Sequence, residues 1–377
     1  MENILITGGA GFIGSNLALA LLKKGYSVRV MDVLSPQVHG ENPENSPLLL
    51  SIQDKVEFVF GDVRNREDWE KAIEEQDVIV HLAAETGTGQ SMYEIEKYVD
   101  VNIKGTAILL DLLANRKHSV KKIVVASSRA VYGEGGYHCV IDGEVFPESR
   151  VDALMTKGVF NPQCPHCSGP LSLKATHEES KIHPTSIYGI TKQNQEQMIL
   201  VGSKSLNIPA VAFRYQNVYG PGQSLSNPYT GILSIFSTRI LNGNPINIFE
   251  DGKESRDFVY IDDVVNATIL GIEKEAANHE VFNVGTGIAI SVMQVVESLM
   301  KQYEKEVAID VSGNYRLGDI RHNYADLEKI NTLLGYEPSI TFDEGVAQLV
   351  EWVKNQEIQH DSYNESIEEM KEKGLFK

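Results

Sequence analysis

The sequence predicts an α/β fold: a Rossmann-type doubly wound parallel sheet with a smaller C-terminal α/β lobe. Three observations carry this expectation. Short apolar runs alternate with helical patterns through the first half, a glycine-rich turn joins the first run to the first helix, and an aspartate closes the second run. Strands and helices in strict alternation are what βαβ units and a parallel sheet require.

The elements follow in order. Residues 3–7 read as an apolar strand, followed by the glycine turn and a helix over 12–24. Strands over 27–32, 56–60, 78–83 and 123–127 continue the series, with helices over 67–75 and 101–115 between them. A long helix is expected over 187–205 and a further buried strand over 210–214. Residues 1–217 are therefore read as the first domain. Within it, residues 134–182 break the pattern, holding all three cysteines, several Gly and Pro, and little periodicity. A structureless stretch of ~50 residues is too long for an ordinary loop. It reads as an insertion with its own stabiliser. From 218 to 356 short strands and helices mix, with turn signals at Gly220-Pro221-Gly222, Gly243-Asn244-Pro245 and Asp251-Gly252. This is the expected substrate-binding lobe, ending in a helix over 342–355. Residues 357–377 form a charged tail, helical or frayed.

The balance of 34 basic against 52 acidic residues, a net charge of −18, repels polyanions over long range. Nucleic acid and anionic membranes are thus not expected partners, and an anionic substrate would need local arginines. No run approaches the ~18 apolar residues of a membrane helix. The start, Met-Glu-Asn-Ile-Leu-Ile-Thr, has no basic region or long apolar stretch, so the expected location is cytoplasmic. An odd cysteine count argues against a disulfide framework.

The strongest local signal is Thr7-Gly8-Gly9-Ala10-Gly11-Phe12-Ile13-Gly14. Strand, glycine turn and helix start come in the order a dinucleotide needs: backbone approaches a pyrophosphate, and the helix offers unpaired N–H groups and a positive dipole end. The spacing is Gly-x-x-Gly-x-x-Gly. Asp32, ending the second strand, can accept hydrogen bonds from an adenosine ribose and repel a 2′-phosphate, which favours NAD over NADP. Asp62-Val63 would sit near the adenine, or Asp62 is simply a turn residue. Tyr188 and Lys192 stand four apart on the long helix and share a face. An ammonium beside the phenol and a cationic nicotinamide both favour phenolate, letting a tyrosine of ordinary pKa ~10 act as a base near neutrality. Ser127-Ser128 ends another strand, at the carboxyl edge where open α/β sheets bind ligands.

With TGGAGFIG, HLAA (81–84), SSRAVYG (127–133) and YGITK (188–192), the chain resembles the extended short-chain dehydrogenase/reductase family. RYQNVYGPGQ (214–223), SRDFVYIDDV (255–264), FNVGTG (282–287) and RLGDIRH (316–322) resemble its sugar-nucleotide epimerase and dehydratase branch. The resemblance implies tightly bound NAD held by Gly8, Gly11, Phe12, Ile13, Gly14, Asp32, Asp62, Val63, Ala83 and Lys192. It implies Tyr188 as base, Lys192 as its partner, and Ser128 as the hydroxyl on the reacting sugar oxygen. Thr86 and Asn217 would contact the sugar, and Arg256 and Arg316 would grip its diphosphate, where a guanidinium fork suits phosphate oxygens. A homodimer through the helices over 101–115 and 187–205 is also implied. The 4,6-dehydratases of this branch carry adjacent Asp-Glu where this chain has Arg129-Ala130, which argues for epimerase or reductase chemistry. The 83–91 stretch, GEGGYHC (133–139) and CPHC (164–167) resemble dTDP-L-rhamnose 4-epimerases, implying conversion of dTDP-L-rhamnose to dTDP-6-deoxy-L-talose. An NAD(P)H-dependent 4-ketoreductase, a nucleotide-sugar 2-epimerase, and a redox-sensing binding protein on the same fold are the alternatives.

Cys-x-x-Cys can present two thiolates to one Zn²⁺. Cys139, Cys164 and Cys167 would be three ligands of a structural zinc, with His138, His166 or His177 as the fourth; a metal-free loop is the alternative.

Overall fold

The computed structural model describes residues 2–229 and 231–377. Seven parallel strands form the central sheet, in the spatial order Val281–Val284, Ala210–Tyr215, Lys122–Ser128, Val78–His81, Asn3–Thr7, Ser27–Asp32 and Glu57–Phe60. Alternation within the first strand shows why the sheet is covered on both sides. Ile4 and Ile6 enter one core with Leu17, Ala18 and Leu21 of the helix Phe12–Lys23. Leu5 enters the other with Trp69, Leu109, Leu112 and Ile199. Successive side chains of a strand point to opposite faces, so a run apolar at every position needs helices on both. The central strands Lys122–Ser128 and Ala210–Tyr215 are buried along their whole length.

Register gathers the strand ends. Thr7 pairs with Met31 and with His81, and Ser128 with Tyr215. Thr7, Asp32, His81 and Ser128 thus stand along one carboxyl edge.

The seventh strand, Val281–Val284, pairs with Ala210–Tyr215. The sheet therefore takes its last strand from beyond residue 217, out of the stretch read as the smaller lobe. That lobe is built on the helices Ile232–Asn242, Val292–Tyr303 and Phe342–Lys354. The last two start at capping boxes, Ser291 with Gln294 and Thr341 with Glu344, which satisfy otherwise orphaned N–H groups.

Other expectations shift. The helix read over 101–115 is a π-helical stretch, Val99–Lys104, running into the α-helix Gly105–Asn115. Residues 134–182 are ordered: an antiparallel sheet of Gly143–Val145, Tyr137–Cys139 and Leu171–Leu173, with a short helix Asp152–Met155. The tail is not frayed. Its helix Tyr363–Glu372 buries Tyr363, Ile367 and Met370 in a cluster with Phe376, against Ile235 and Phe249. Leu317 N–H donates to the Leu375 carbonyl at 2.9 Å and Lys377 N–H to that of Tyr315 at 3.0 Å, pinning the last residues to the lobe. Among the described residues no helix is long and apolar enough to cross a membrane.

Candidate active site

A cleft of about 800 Å³ runs along the carboxyl edge of the sheet and under the smaller lobe. Every residue singled out above for cofactor, catalysis or substrate lines it, from Gly8 and Asp32 through Ser128, Tyr188 and Lys192 to Arg256 and Arg316.

At one end the first strand delivers the glycine turn. A Cβ on Gly8 would lie 2.8 Å from the Ala83 nitrogen, and one on Gly14 would lie 2.5 Å from the Gly8 carbonyl oxygen. Gly8 also has φ +66°, which favours glycine. Gly11 is the N-cap of Phe12–Lys23 and offers no side-chain cap, so the first-turn N–H groups and the positive end of the helix dipole stay available to an anion. Asp32 closes this end. Its carboxylate accepts from Ala10 N–H at 3.0 Å and Leu34 N–H at 2.8 Å. Asp62 accepts a forked contact from Arg64. Burial pushes this carboxyl upward, but the Arg64 hydrogen bonds outweigh it and hold it below the usual range. The cradle that a side chain would fill, the free helix start and the carboxylate together fit a dinucleotide.

In the middle of the cleft Ser186 caps the long helix, accepting from Gly189 N–H at 3.1 Å, and so sets Tyr188 in its first turn. Tyr188 N–H donates to Ser91 Oγ at 3.0 Å, and the phenol and Ser128 line the cleft together. Burial raises the phenol's pKa, while Ser128 and the positive charge of Arg129 pull it back.

Lys192 differs from the simple picture of an ammonium resting against the phenol. It is buried, and its Nζ donates to Gln195 Oε1 at 2.7 Å. Burial lowers its pKa to about 7, against the opposing pull of Glu196. Gln195 Nε2 in turn donates to Thr106 Oγ1 at 3.1 Å, and His81 bonds Thr106 and Thr7 at 3.1 and 2.7 Å. Burial lowers the His81 pKa to about 3, so the ring is neutral beside that lysine. Glu196 pairs with Arg214 and accepts from Ser127 Oγ at 2.6 Å. Asn102, brought inward by the π-helical stretch, accepts from Glu85 N–H at 2.7 Å and donates to Thr191 Oγ1 at 2.9 Å. The 85–91 loop, with Thr86 on the cleft wall, is thereby tied to the helix of Tyr188.

At the far end three guanidinium groups line the cleft. Arg129 Nε donates to Asn217 Oδ1 at 2.8 Å, and burial followed by the charge of Arg256 lowers its pKa to about 9. Arg256 is held by the carbonyl oxygens of Ser255, Arg321 and Ile320 at 2.7–3.0 Å. Arg316 forks onto Asp319 at 2.7 and 2.9 Å. The tail covers this end through Tyr363, Ser366, Ile367 and Met370.

Several of these residues escape sequence reading. Arg129 shows in sequence only as a missing acid. Gln195 and Glu196, polar positions three and four after Lys192, carry a faint signal, and the tail carries none beyond the apolar spacing of Tyr363, Ile367 and Met370. Cys139, Cys164 and Cys167 lie outside the cleft. The structure gathers them with Asp142, rather than with His138, His166 or His177. His177 instead faces Glu144 at 3.4 Å.

A glycine cradle, a carboxylate closing the second strand and a Ser–Tyr–Lys group on one sheet edge define an extended short-chain dehydrogenase/reductase. The chain belongs to the NAD dependent epimerase/dehydratase family, whose model matches residues 4–285. It is 35% identical to the dTDP-L-rhamnose 4-epimerase of Burkholderia thailandensis over 354 residues, covering 93% of this chain and 95% of that one. It is 29% identical to the UDP-glucuronate 4-epimerase of Thermodesulfobacterium geofontis, covering 94% and 97%. Among solved structures, the UDP-glucuronic acid 4-epimerase of Bacillus cereus, in complex with UDP-glucuronic acid and NAD, superposes with a TM-score of 0.76 at 28% identity, covering 94% of this chain and 99% of that one.

Proposed function

We propose that this protein inverts C4 of a nucleotide-diphosphate sugar by transient oxidation, with dTDP-L-rhamnose and dTDP-6-deoxy-L-talose as the interconverting pair. The observation that carries the reading is the convergence of Ser128, Tyr188 and buried Lys192 on one cleft that continues from the glycine cradle to the arginines.

Gly8, Gly11, Gly14 and the start of Phe12–Lys23 hold the dinucleotide pyrophosphate, and Asp32 takes the adenosine ribose. Bound NAD supplies an acceptor for the C4 hydride and a donor for its return. Tyr188 takes the C4 hydroxyl proton and later gives it back. Ser128 holds the reacting oxygen, Ser128 and the Arg129 charge favour the phenolate against burial, and Lys192 helps hold the cofactor. Arg256 and Arg316 anchor the diphosphate, so the 4-keto ring can turn about that anchor and present its other face. Arg316 must exchange Asp319 for phosphate to do so. Arg129 and Ala130 supply neither the acid nor the base that water elimination needs, which separates this site from dehydration. The choice of sugar is supported by the 35% identity to the Burkholderia protein over nearly the whole of both chains.

The test is incubation of purified enzyme with a panel of nucleotide sugars, without added cofactor, followed by proton NMR. The expected result is a changed C4 proton coupling in dTDP-L-rhamnose. No changed coupling in any nucleotide sugar, with stoichiometric NADH consumption once NADH and a 4-keto sugar nucleotide are added, would instead establish a ketoreductase.

A further inference from the structure

The three cysteines are unused by the proposed reaction, and all are free thiols. They sit at the tips of two hairpins in the 134–182 segment. In the first, Tyr137–Cys139 pairs with Gly143–Val145, placing Cys139 opposite Gly143 and Asp142 in the connecting turn. In the second, Gln163 bridges to Pro170, Cys164 N–H donates to the Gly169 carbonyl at 3.0 Å, and Ser168 N–H donates to that of Cys164 at 2.9 Å. These bonds bend Cys164–Cys167 into a tight knuckle. Each tip therefore carries two ligand-bearing residues with two others between them, Cys-x-x-Asp and Cys-x-x-Cys.

The tips face each other. Cys139 Sγ lies 3.5 Å from Cys167 Sγ and 3.4 Å from Asp142 Oδ2, and Cys164 Sγ lies 3.1 Å from the same oxygen. All four ligand atoms fall within 4.8 Å of one another. Zinc bound at ~2.3 Å to sulfur and ~2.0–2.2 Å to carboxylate oxygen in a tetrahedron needs ligand separations of about 3.4–3.8 Å. Three of the six separations, at 3.1–3.5 Å, already stand close to that spacing. The paired hairpins have only a small apolar core of their own: Tyr137, Cys139, Val145 and Cys164 are its buried cluster, two of these are the thiols themselves, and Met155 and Phe160 pack separately with Tyr315 outside the segment. Small units of this kind are commonly held by a metal or disulfides.

We propose that Cys139, Asp142, Cys164 and Cys167 bind one Zn²⁺ in a closed structural site. Four protein ligands leave no position for water, so the ion folds the segment and takes no part in catalysis. Its influence reaches the cleft through Arg150 of the same segment. Arg150 pairs with Glu134 at 3.1 Å and Glu250 at 2.7 Å, and donates to the carbonyl of Asp319 at 2.8 Å. Asp319 is the partner of Arg316.

The test is elemental analysis of the full-length chain, purified without added metal, then stripped with a chelator and reloaded with Zn²⁺ or Co²⁺ alone. One zinc per chain is expected, and the cobalt form should show the intense visible absorption of tetrahedral thiolate-bound Co²⁺. Cys164→Ser and Asp142→Ala should lose the metal, whereas Asp142→His should keep it, since imidazole can replace the carboxylate. A folded wild-type chain that takes up neither ion, with three freely alkylated thiols or a Cys139–Cys167 disulfide in its intact mass, would overturn the proposal. Undiminished zinc in Asp142→Ala would remove Asp142 from the ligand set and with it the site as stated.

Discussion

Tyr188→Phe is expected to lower kcat by about 10²–10⁴-fold, the range of a lost general acid–base group, while the variant keeps its fold and its NAD. The substitution removes one oxygen from a ring wedged at the helix start, edge-on to Tyr98 with centroids 6.5 Å apart. The apolar contacts survive. What disappears is the phenol that shares the cleft with Ser128 at the strand end. NAD content, read from the absorbance of denatured protein, separates this outcome from simple collapse of the site. Comparable loss of NAD and of activity would mean that Tyr188 supports the pocket and does not move the proton.

Lys192→Met should do two things of opposite sign: reduce kcat by about 10²–10³-fold and raise stability at neutral pH. Burial sets the sign of the stability change. Lys192 has a folded-state pKa lowered from 10.5 to about 7, so between those values the folded chain holds fewer protons than the unfolded one. Stability from this group therefore rises with pH across the window, and the cost of burying the charge is fully present below about pH 7. Methionine fills nearly the same volume without that cost. After the lost hydrogen bond to Gln195 is allowed for, a gain on the order of 1–3 kcal/mol is expected, read as a higher Tm. The difference between variant and wild type should shrink as pH climbs from about 7 toward 10.5. A Tm that falls at pH 7, or a difference independent of pH, would show that the lysine is not held at an energetic disadvantage.

That a site residue is expected to cost stability fits the way the sequence could and could not be read. Gly8–Gly14, Asp32 and the Tyr188–Lys192 spacing are chain-local signals. Each follows from a strand end or a helical turn, so sequence alone locates them. The seventh strand was hidden because Val281–Val284 reaches the sheet only by pairing with Ala210–Tyr215, across an intervening helix and lobe segments. Asn102 was hidden because a π-helical stretch looks like ordinary helix in sequence, yet it turns the side chain toward Glu85 and Thr191. Asp142 lay in plain view in a turn. It became a metal-ligand candidate only when two hairpin tips met in space. The contact between Lys192 and Gln195 is local, three residues apart, but burial decides it. An exposed lysine would point elsewhere.

In the proposed cycle one carbon is oxidised and reduced again, and the hydride never leaves the enzyme. The direct measurement uses dTDP-L-rhamnose carrying deuterium at C4, incubated with purified enzyme in ordinary water without added cofactor. The account predicts that the C4 epimer retains its deuterium on C4. Epimer formed with hydrogen from solvent at C4 would contradict it.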